Sequence, residues 1–113
     1  MLYNFWLERN NNLEKVLNFR DLGLSETTLE AIGKKGYETP SPIQALCIPR
    51  LLDGTKDVIG QAQTGTGKTA AFSLPIIDRI ERENYVQAII LAPTRELVIQ
   101  VAEEISSLKG DKR

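Results

Sequence analysis

Residues 62–69 read AQTGTGKT, which places two glycines, a lysine and a threonine at the spacing of a phosphate-binding loop. In such a loop Gly65 and Gly67 let backbone N–H groups approach phosphate oxygens, because no Cβ stands in the way. Lys68 would contact the β- and γ-phosphates, and the Thr69 hydroxyl would help to hold Mg²⁺, so both are predicted to serve catalysis. The predicted contacts to a nucleoside triphosphate are Ala62, Gln63, Thr64, Gly65, Thr66, Gly67, Lys68 and Thr69.

The loop departs from the usual pattern at one position, and it has an alternative interpretation. Ala62 stands where the first glycine of the pattern normally falls, a mild departure, since alanine tolerates a turn if its φ is negative. The alternative is a structural turn rich in glycine and threonine that happens to end in Lys-Thr. A predicted strand before the loop and a predicted helix after it favour phosphate binding.

The segment before the loop, residues 36–44, reads GYETPSPIQ. A helix start accounts for Ser41 as N-cap and Pro42 at the first position, but gives no special reason for Gln44. A glutamine carboxamide matches N7 and the N6 amino group of adenine at once, and mismatches guanine. Upstream, Phe19 could stack on the base, although taken alone it is more typical of a core residue.

The segment after the second predicted strand, residues 92–97, reads APTREL. Thr94 is a candidate N-cap, and Arg95 falls in the first helical turn. A helix N-terminus with an arginine can grip a nucleic-acid phosphate without reading sequence. The alternative, equally open on local chemistry, is an Arg95 side chain paired with a nearby acidic residue.

Helices must position these segments. The pattern predicts one at about residues 25–35, capped by Ser25 and ended by Gly36. A second begins at Ser41 and is expected to break at Pro49, leaving a short turn that Gly54 closes. Further helices are predicted at about 67–82, kinked at Pro75, and at about 95–108.

Two short segments, residues 57–62 (DVIGQA) and 86–92 (VQAIILA), read as strands. The second run is continuously apolar apart from one glutamine, as expected of a parallel strand covered on both faces. The order strand, loop, helix, strand, helix predicts an α/β fold with a parallel sheet.

The composition of the chain excludes several classes of functional site. The chain has 113 residues, enough for one modest domain, and a net charge of −1, so a nucleic-acid site must be local. With no histidine and a single cysteine, Cys47, an internal disulfide, the usual zinc site and a histidine base are all excluded. Cys47 is interpreted as a small core residue. The N-terminus lacks the pattern of a signal peptide and no run is long enough to span a membrane, which predicts a cytoplasmic protein.

The three segments GYETPSPIQ, AQTGTGKT and PTREL, in this order, resemble the DEAD-box family of ATP-dependent RNA helicases, in which they are the Q motif, motif I and motif Ia. The resemblance covers about residues 19–108. It implies that Gln44 reads adenine and that Phe19 is the family's upstream stacking aromatic. It also implies that ATP and Mg²⁺ bind at Lys68 and Thr69, and that Pro93, Thr94 and Arg95 touch the RNA backbone. With Glu96, these are the predicted RNA contacts.

The fold implied by this resemblance is that of a P-loop NTPase: a RecA-like parallel sheet with flanking helices, here incomplete. Residues 1–18 are assigned to an N-terminal extension and residues 19–113 to part of the first RecA-like domain. In related folds, strands that come later in the sequence lie between the two predicted here. The family's Asp-Glu-Ala-Asp motif is absent from the 113 residues, and its arginine fingers lie in a second domain.

Loss of an arginine finger alone costs about 10³–10⁵ in rate, so negligible ATP turnover is expected from this chain by itself. Three hypotheses follow. The chain is the N-terminal ATP-binding part of an RNA helicase, a stand-alone adenine-nucleotide-binding module without hydrolysis, or a truncated product that does not fold stably. No DNA or membrane partner is expected, and the RNA substrate and oligomeric state are not encoded in these motifs.

Overall fold

The structure, a computed structural model, describes residues 18–65 and 67–110. Within these ranges a short 3₁₀ turn, Phe19–Leu22, is followed by the helices α1 (Glu26–Lys34), α2 (Pro42–Asp53), α3 (Lys68–Arg79) and α4 (Arg95–Leu108). No helix in the described ranges has the length and apolar character needed to cross a membrane. The predicted extension, residues 1–18, lies outside these ranges except for Asn18, the N-cap residue of the 3₁₀ turn.

Three predicted helix ends are confirmed by their caps. The Ser25 hydroxyl accepts a hydrogen bond from the Thr28 N–H at the start of α1. Gly36 follows α1 with φ +84°, a left-handed conformation that suits glycine, and the Tyr37 N–H closes the end of the helix on the Ile32 carbonyl. The α4 helix begins where predicted, with the Thr94 hydroxyl accepting from the Leu97 N–H at 3.2 Å.

The predicted break at Pro49 is wrong, because α2 continues through it to Asp53 and ends on Gly54 with φ +70°. Proline cannot donate to the carbonyl four residues earlier, and its ring disturbs that turn. The carbonyl that loses its helical donor to Pro49 is that of Ala45, four residues earlier. The Arg50 guanidinium donates to the next carbonyl, that of Leu46, at 2.6 Å. Burial of Ile48 on this part of the helix adds apolar stabilisation. Packing of α2 in the core therefore outweighs the intrinsic cost of proline.

The predicted strands are not seen as strands. Residues 57–62 and 86–92 carry no regular secondary structure, and the described part of the chain contains no strand ladder. A strand exists only through hydrogen bonds to a neighbouring strand, and these two segments do not pair with each other. The parallel sheet stays a prediction. The α3 helix also ends at Arg79, earlier than the expected Arg82, and passes through Pro75 without interruption.

The core lies mainly between α2 and α3, which share the most extensive helix–helix contact of the described residues. Its larger cluster draws on every helix; the members are Phe19, Leu22, Leu24, Ile32, Ile48, Ala70, Leu74, Ile77 and Leu108. A second cluster consists of Ile43, Cys47 and Ala71, with Leu51, Val58 and Ala62 packed against it. This second cluster attaches the segment that leads into the phosphate loop to the two central helices.

Two weak acids, the buried Cys47 thiol and the half-buried Tyr37 hydroxyl, make the fold sensitive to alkaline pH. Burial raises the pKa of the Cys47 thiol above its ordinary value of 9.0. Burial, and to a lesser extent the Glu104 carboxylate, raises the pKa of Tyr37 above 10.0. A raised folded-state pKa contributes stability that is complete below the unfolded-state pKa and is lost as pH rises through the folded-state pKa.

We therefore expect the melting temperature to fall as pH rises above about 9, first through Cys47 and then through Tyr37. Thermal unfolding followed by circular dichroism at a series of pH values measures this. Cys47→Ala should remove the earlier part of the fall and Tyr37→Phe the later part. If the melting temperature of both variants falls with pH as it does in the unmodified chain, the assignment to Cys47 and Tyr37 is contradicted.

Candidate nucleotide-binding site

The predicted phosphate loop connects the second core cluster to the start of α3. Gly65 and Gly67 have φ of +81° and +84°, so both adopt the left-handed conformation that glycine takes most easily. Ala62 is half-buried and packs against the second cluster, so its methyl group has a structural use. Gln63, Thr64 and Gly65 are exposed, and Thr66 lies outside the described residues.

The N-terminus of α3 differs from those of the other described α-helices. Ser25, Ser41 and Thr94 each cap their helix with a side-chain oxygen, whereas Gly67 offers none to α3. The first turn of α3 contains no acidic residue. Uncapped N–H groups at a helix N-terminus form a binding site for an anion. Lys68, exposed, and Thr69, half-buried, are the first two residues of this helix.

Gln44 joins the segment 36–44 to the phosphate loop. Its side chain is only 5% exposed. The carboxamide oxygen accepts from the Ser41 N–H at 2.9 Å, and Nε2 donates to the Gly67 carbonyl at 3.2 Å. The same carbonyl accepts the Ala71 N–H of α3. One side chain thus ties the start of α2 to the start of α3 across the loop.

Part of this geometry has a local explanation that the sequence interpretation missed. Ser41 and Gln44 form a capping box, in which the Ser41 hydroxyl accepts from the Gln44 N–H at 3.4 Å and the Gln44 side chain accepts from the Ser41 N–H. The pattern Ser-x-x-Gln before an apolar run is the signature of that motif. The view that a helix start gives no special reason for Gln44 is therefore wrong. The hydrogen bond to Gly67, by contrast, has no signal in the local sequence.

The side chain of Gln44 restricts which residue can occupy position 67. A Cβ added to it would lie 2.2 Å from Gln44 Nε2 and 3.4 Å from Ser41 Oγ. The closer distance is far inside van der Waals contact, so either the loop or the glutamine would have to move. A Cβ on Gly65 would meet no heavy atom within 4 Å. Gly67 is therefore required by both its backbone conformation and its packing, Gly65 by its conformation alone.

The predicted stacking residue, Phe19, is 4% exposed and belongs to the larger core cluster. Its ring lies 6.0 Å from that of Tyr37, tilted by 39°. The structure thus places Phe19 beside the first residues of the segment 36–44, with its ring among core side chains. Stacking on adenine stays a prediction.

The predicted RNA-contacting residues, Pro93, Thr94, Arg95 and Glu96, are all exposed at the N-terminus of α4. Among the described residues Arg95 forms no ion pair, so the predicted alternative of an acidic partner is not observed there. The α4 helix packs against α3, which fixes this segment relative to the phosphate loop. Both predicted binding segments therefore stand at helix N-termini with exposed basic residues.

Gln44, the phosphate loop and Arg95 all fall within the match to one protein-family model. The model of the family described as "DEAD/DEAH box helicase" matches residues 41–112, which is more than half of the chain and includes Gln44, the phosphate loop and Arg95. The chain belongs to the DEAD/DEAH box helicase family. Among curated proteins, an ATP-dependent RNA helicase CshA of Limosilactobacillus reuteri is 59% identical over 97 residues, covering 85% of this chain and 19% of that protein.

Solved structures of this family share the fold. A DEAD box protein from Methanococcus jannaschii superposes with a TM-score of 0.81 at 51% identity, over 85% of this chain and 26% of that one. The RNA helicase Prp28 from Chaetomium thermophilum, bound to ADP, gives a TM-score of 0.71 at 41% identity, over 80% and 23% of the two chains. The chain therefore has the fold of one part of a DEAD-box protein and spans about a fifth to a quarter of such relatives.

Proposed function

We propose that this chain is the N-terminal ATP-binding part of a DEAD-box RNA helicase, which couples ATP binding and hydrolysis to the unwinding of RNA duplexes. The observation that carries the proposal is the Gln44 side chain, which bridges the segment 36–44 to the phosphate loop through the Gly67 carbonyl. This bridge puts a carboxamide able to recognise a base next to a loop able to hold a triphosphate.

Gln44 has hydrogen-bonding capacity left for adenine. A primary amide has two N–H donors and two acceptor lone pairs, and the Gly67 and Ser41 contacts use one of each. The remaining N–H suits adenine N7, and the remaining lone pair suits the N6 amino group. Guanine presents an oxygen at the six position, which would face the glutamine oxygen without a proton between them. Phe19 would supply the stacking surface after a rearrangement of its ring.

The triphosphate would bind at the start of α3. The uncapped N–H groups of that helix and the left-handed backbone at Gly65 and Gly67 fit phosphate oxygens. Lys68 would neutralise charge on the β- and γ-phosphates. The Thr69 hydroxyl would help to hold Mg²⁺, which would offset the charge of the phosphates. These residues therefore bind and orient the nucleotide.

The RNA backbone would contact Pro93, Thr94, Arg95 and Glu96, where an exposed arginine meets a helix N-terminus. In a complete domain, residues 57–62 and 86–92 would be strands of a parallel RecA-like sheet. Hydrolysis needs groups that the sequence of 113 residues does not include, among them the Asp-Glu-Ala-Asp motif. The isolated chain is accordingly expected to bind ATP with negligible turnover.

Titration calorimetry with Mg-ATP and Mg-GTP tests this proposal through two variants with different expected outcomes. Lys68→Ala removes a contact common to both nucleotides and should lower the affinity for each of them by about a hundredfold. Gln44→Ala should reduce the preference for ATP over GTP by about ten- to a hundredfold, because it removes the base contact. Lys56→Ala, an exposed lysine outside the loop, is the control.

Equal affinity of the unmodified chain for both nucleotides, or no binding to a chain that circular dichroism shows to be folded, would contradict the proposal. If Gln44→Ala lowers the affinity for ATP and for GTP to the same extent, Gln44 does not recognise the base, and its role is confined to the structural contacts with Ser41 and Gly67.

A further inference from the structure

Tyr37, the second residue of the segment 36–44, links the predicted stacking residue to α4 through one hydrophobic cluster. Its ring lies 6.0 Å from that of Phe19 and is tilted by 39° against it. Phe19 and the fully buried Leu108 of α4 are members of the larger core cluster. Tyr37 packs against that cluster, and so does Ile105 of α4. The C-terminal half of α4 is therefore packed on the same cluster as the aromatic pair.

The C-terminal end of α4 is also attached to the elements next to Tyr37. Gly110, two residues after the helix, would place an added Cβ only 3.0 Å from the Cβ of Ala31 in α1. Burial raises the pKa of the Tyr37 hydroxyl, and the nearby carboxylate of Glu104 raises it further. The opposite end of the same helix carries the exposed Arg95. One helix thus reaches from the surroundings of Tyr37 to the predicted RNA contacts.

We propose that Tyr37 transmits to α4 whether a base occupies the site formed by Gln44 and Phe19, an inference that rests on the proposed function. The Phe19 ring is 4% exposed, so it has to turn partly out of the core before an adenine ring can stack on it. That turn removes Phe19 from the side chains that it contacts here, including Tyr37. Phe19 therefore has two arrangements, and the nucleotide selects the outer one, which is the condition for transmission between two sites.

The direction of the effect on α4 follows from the packing of the cluster. When Phe19 turns outward, the cluster loses the apolar contacts of a large side chain, and Tyr37 shifts into part of the space. The contacts that hold Ile105 and Leu108 on the cluster are weakened as a result. Backbone amides open more often where fewer apolar contacts hold a helix. The C-terminal half of α4 therefore exchanges its amide hydrogens faster when the base is bound.

Hydrogen–deuterium exchange followed by mass spectrometry tests this on the 113-residue chain, with Mg-ATP and with the magnesium complex of inorganic tripolyphosphate. Both ligands should slow exchange in the phosphate loop and at the start of α3, because both occupy the phosphate site. Only Mg-ATP brings a base, so only Mg-ATP should speed exchange in residues 102–108, by about fivefold. Ligand stabilisation of the whole fold would slow exchange in every segment, which is the opposite change in α4.

Substitutions at Tyr37 separate transmission from binding. Tyr37→Leu removes the ring that contacts Phe19 and should abolish the faster exchange in α4, while the slower exchange in the phosphate loop remains. Tyr37→Phe keeps the ring and should retain the response of α4. Tyr85→Leu, at a tyrosine that is 66% exposed, is the matched control and should behave as the unmodified chain. Circular dichroism shows whether each variant is folded, and the comparison of the two ligands on the unmodified chain depends on no variant.

Two outcomes overturn this inference when calorimetry shows that Mg-ATP binds. One is exchange in α4 that is unchanged or slowed by Mg-ATP, or that changes equally with tripolyphosphate. The other is a faster exchange in α4 that persists in full in a folded Tyr37→Leu variant. A folded chain that binds no Mg-ATP is a different result, because it contradicts the proposed function itself and the inference with it. Failure of transmission is thus distinguishable from failure of nucleotide binding.

Discussion

Replacing Gly67 with alanine is expected to destabilise the fold by about 3 kcal/mol and to abolish detectable ATP binding. The residue has φ +84°, so any side chain is strained there. The new Cβ would also lie 2.2 Å from Gln44 Nε2, which forces the buried glutamine away from the Gly67 carbonyl. Urea unfolding followed by circular dichroism measures the first effect, and titration with Mg-ATP the second.

Gly65→Ala is a matched control for this substitution. Its φ of +81° imposes nearly the same backbone strain, but a Cβ there would meet no heavy atom within 4 Å. Gly65→Ala should therefore cost only about 1–2 kcal/mol. Adding Gln44→Ala to Gly67→Ala removes the group that the Cβ strikes, so the double variant should be less destabilised than the sum of the two single ones. Equal costs at the two glycines would contradict the packing argument.

The capped starts of the helices and the loop glycines were accessible from sequence because their causes are local. Ser25 and Thr94 cap α1 and α4 with hydrogen bonds to residues three positions ahead. Gly65 and Gly67 have the positive φ that their places in the loop pattern imply. Such features depend on a few consecutive residues, and the residue types state them directly.

Other features were not accessible, because they depend on residues distant in the sequence. Pro49 remains in a helix since α2 is held by the core, in which Ile48 is fully buried. The hydrogen bond from Gln44 to Gly67 spans 23 positions. Strand character in residues 86–92 was inferred from the apolar run, but a ladder also requires a neighbouring strand, which the run itself does not specify.

Asp78, near the end of α3, accepts a set of three hydrogen bonds that the sequence did not predict. Its Oδ1 accepts hydrogen bonds from the Ser25 N–H at 2.9 Å, from the Ser25 hydroxyl at 2.6 Å and from the Thr28 hydroxyl at 2.6 Å. Thr28 is buried. A carboxylate near the N-terminus of α1 also interacts favourably with the positive end of that helix. Asp78 thus attaches α1, and the segment 36–44 that follows it, to the helix that begins at the phosphate loop.

We expect Asp78→Ala to lower the free energy of unfolding by about 3 kcal/mol, since it leaves the buried Thr28 hydroxyl without this acceptor and removes a charge-assisted cap. Asp78→Asn keeps an acceptor oxygen without the charge and should cost about half as much. Asp53→Ala, at the exposed end of α2, is the control and should change stability by less than about 0.5 kcal/mol. Urea unfolding of the three variants gives these values.

A double-mutant cycle shows whether the effect of Asp78 acts through Thr28. Thr28→Val removes the hydroxyl at nearly constant volume, so the combined variant should be more stable, by about 1 kcal/mol, than the sum of the single changes implies. Strict additivity would mean that the 2.6 Å contact contributes nothing to stability. Because α1 leads into the segment that carries Gln44, loss of this attachment should also weaken Mg-ATP binding in Asp78→Ala, while Asp53→Ala binds normally. An unchanged ATP affinity at a temperature where Asp78→Ala is folded would confine Asp78 to a role in stability.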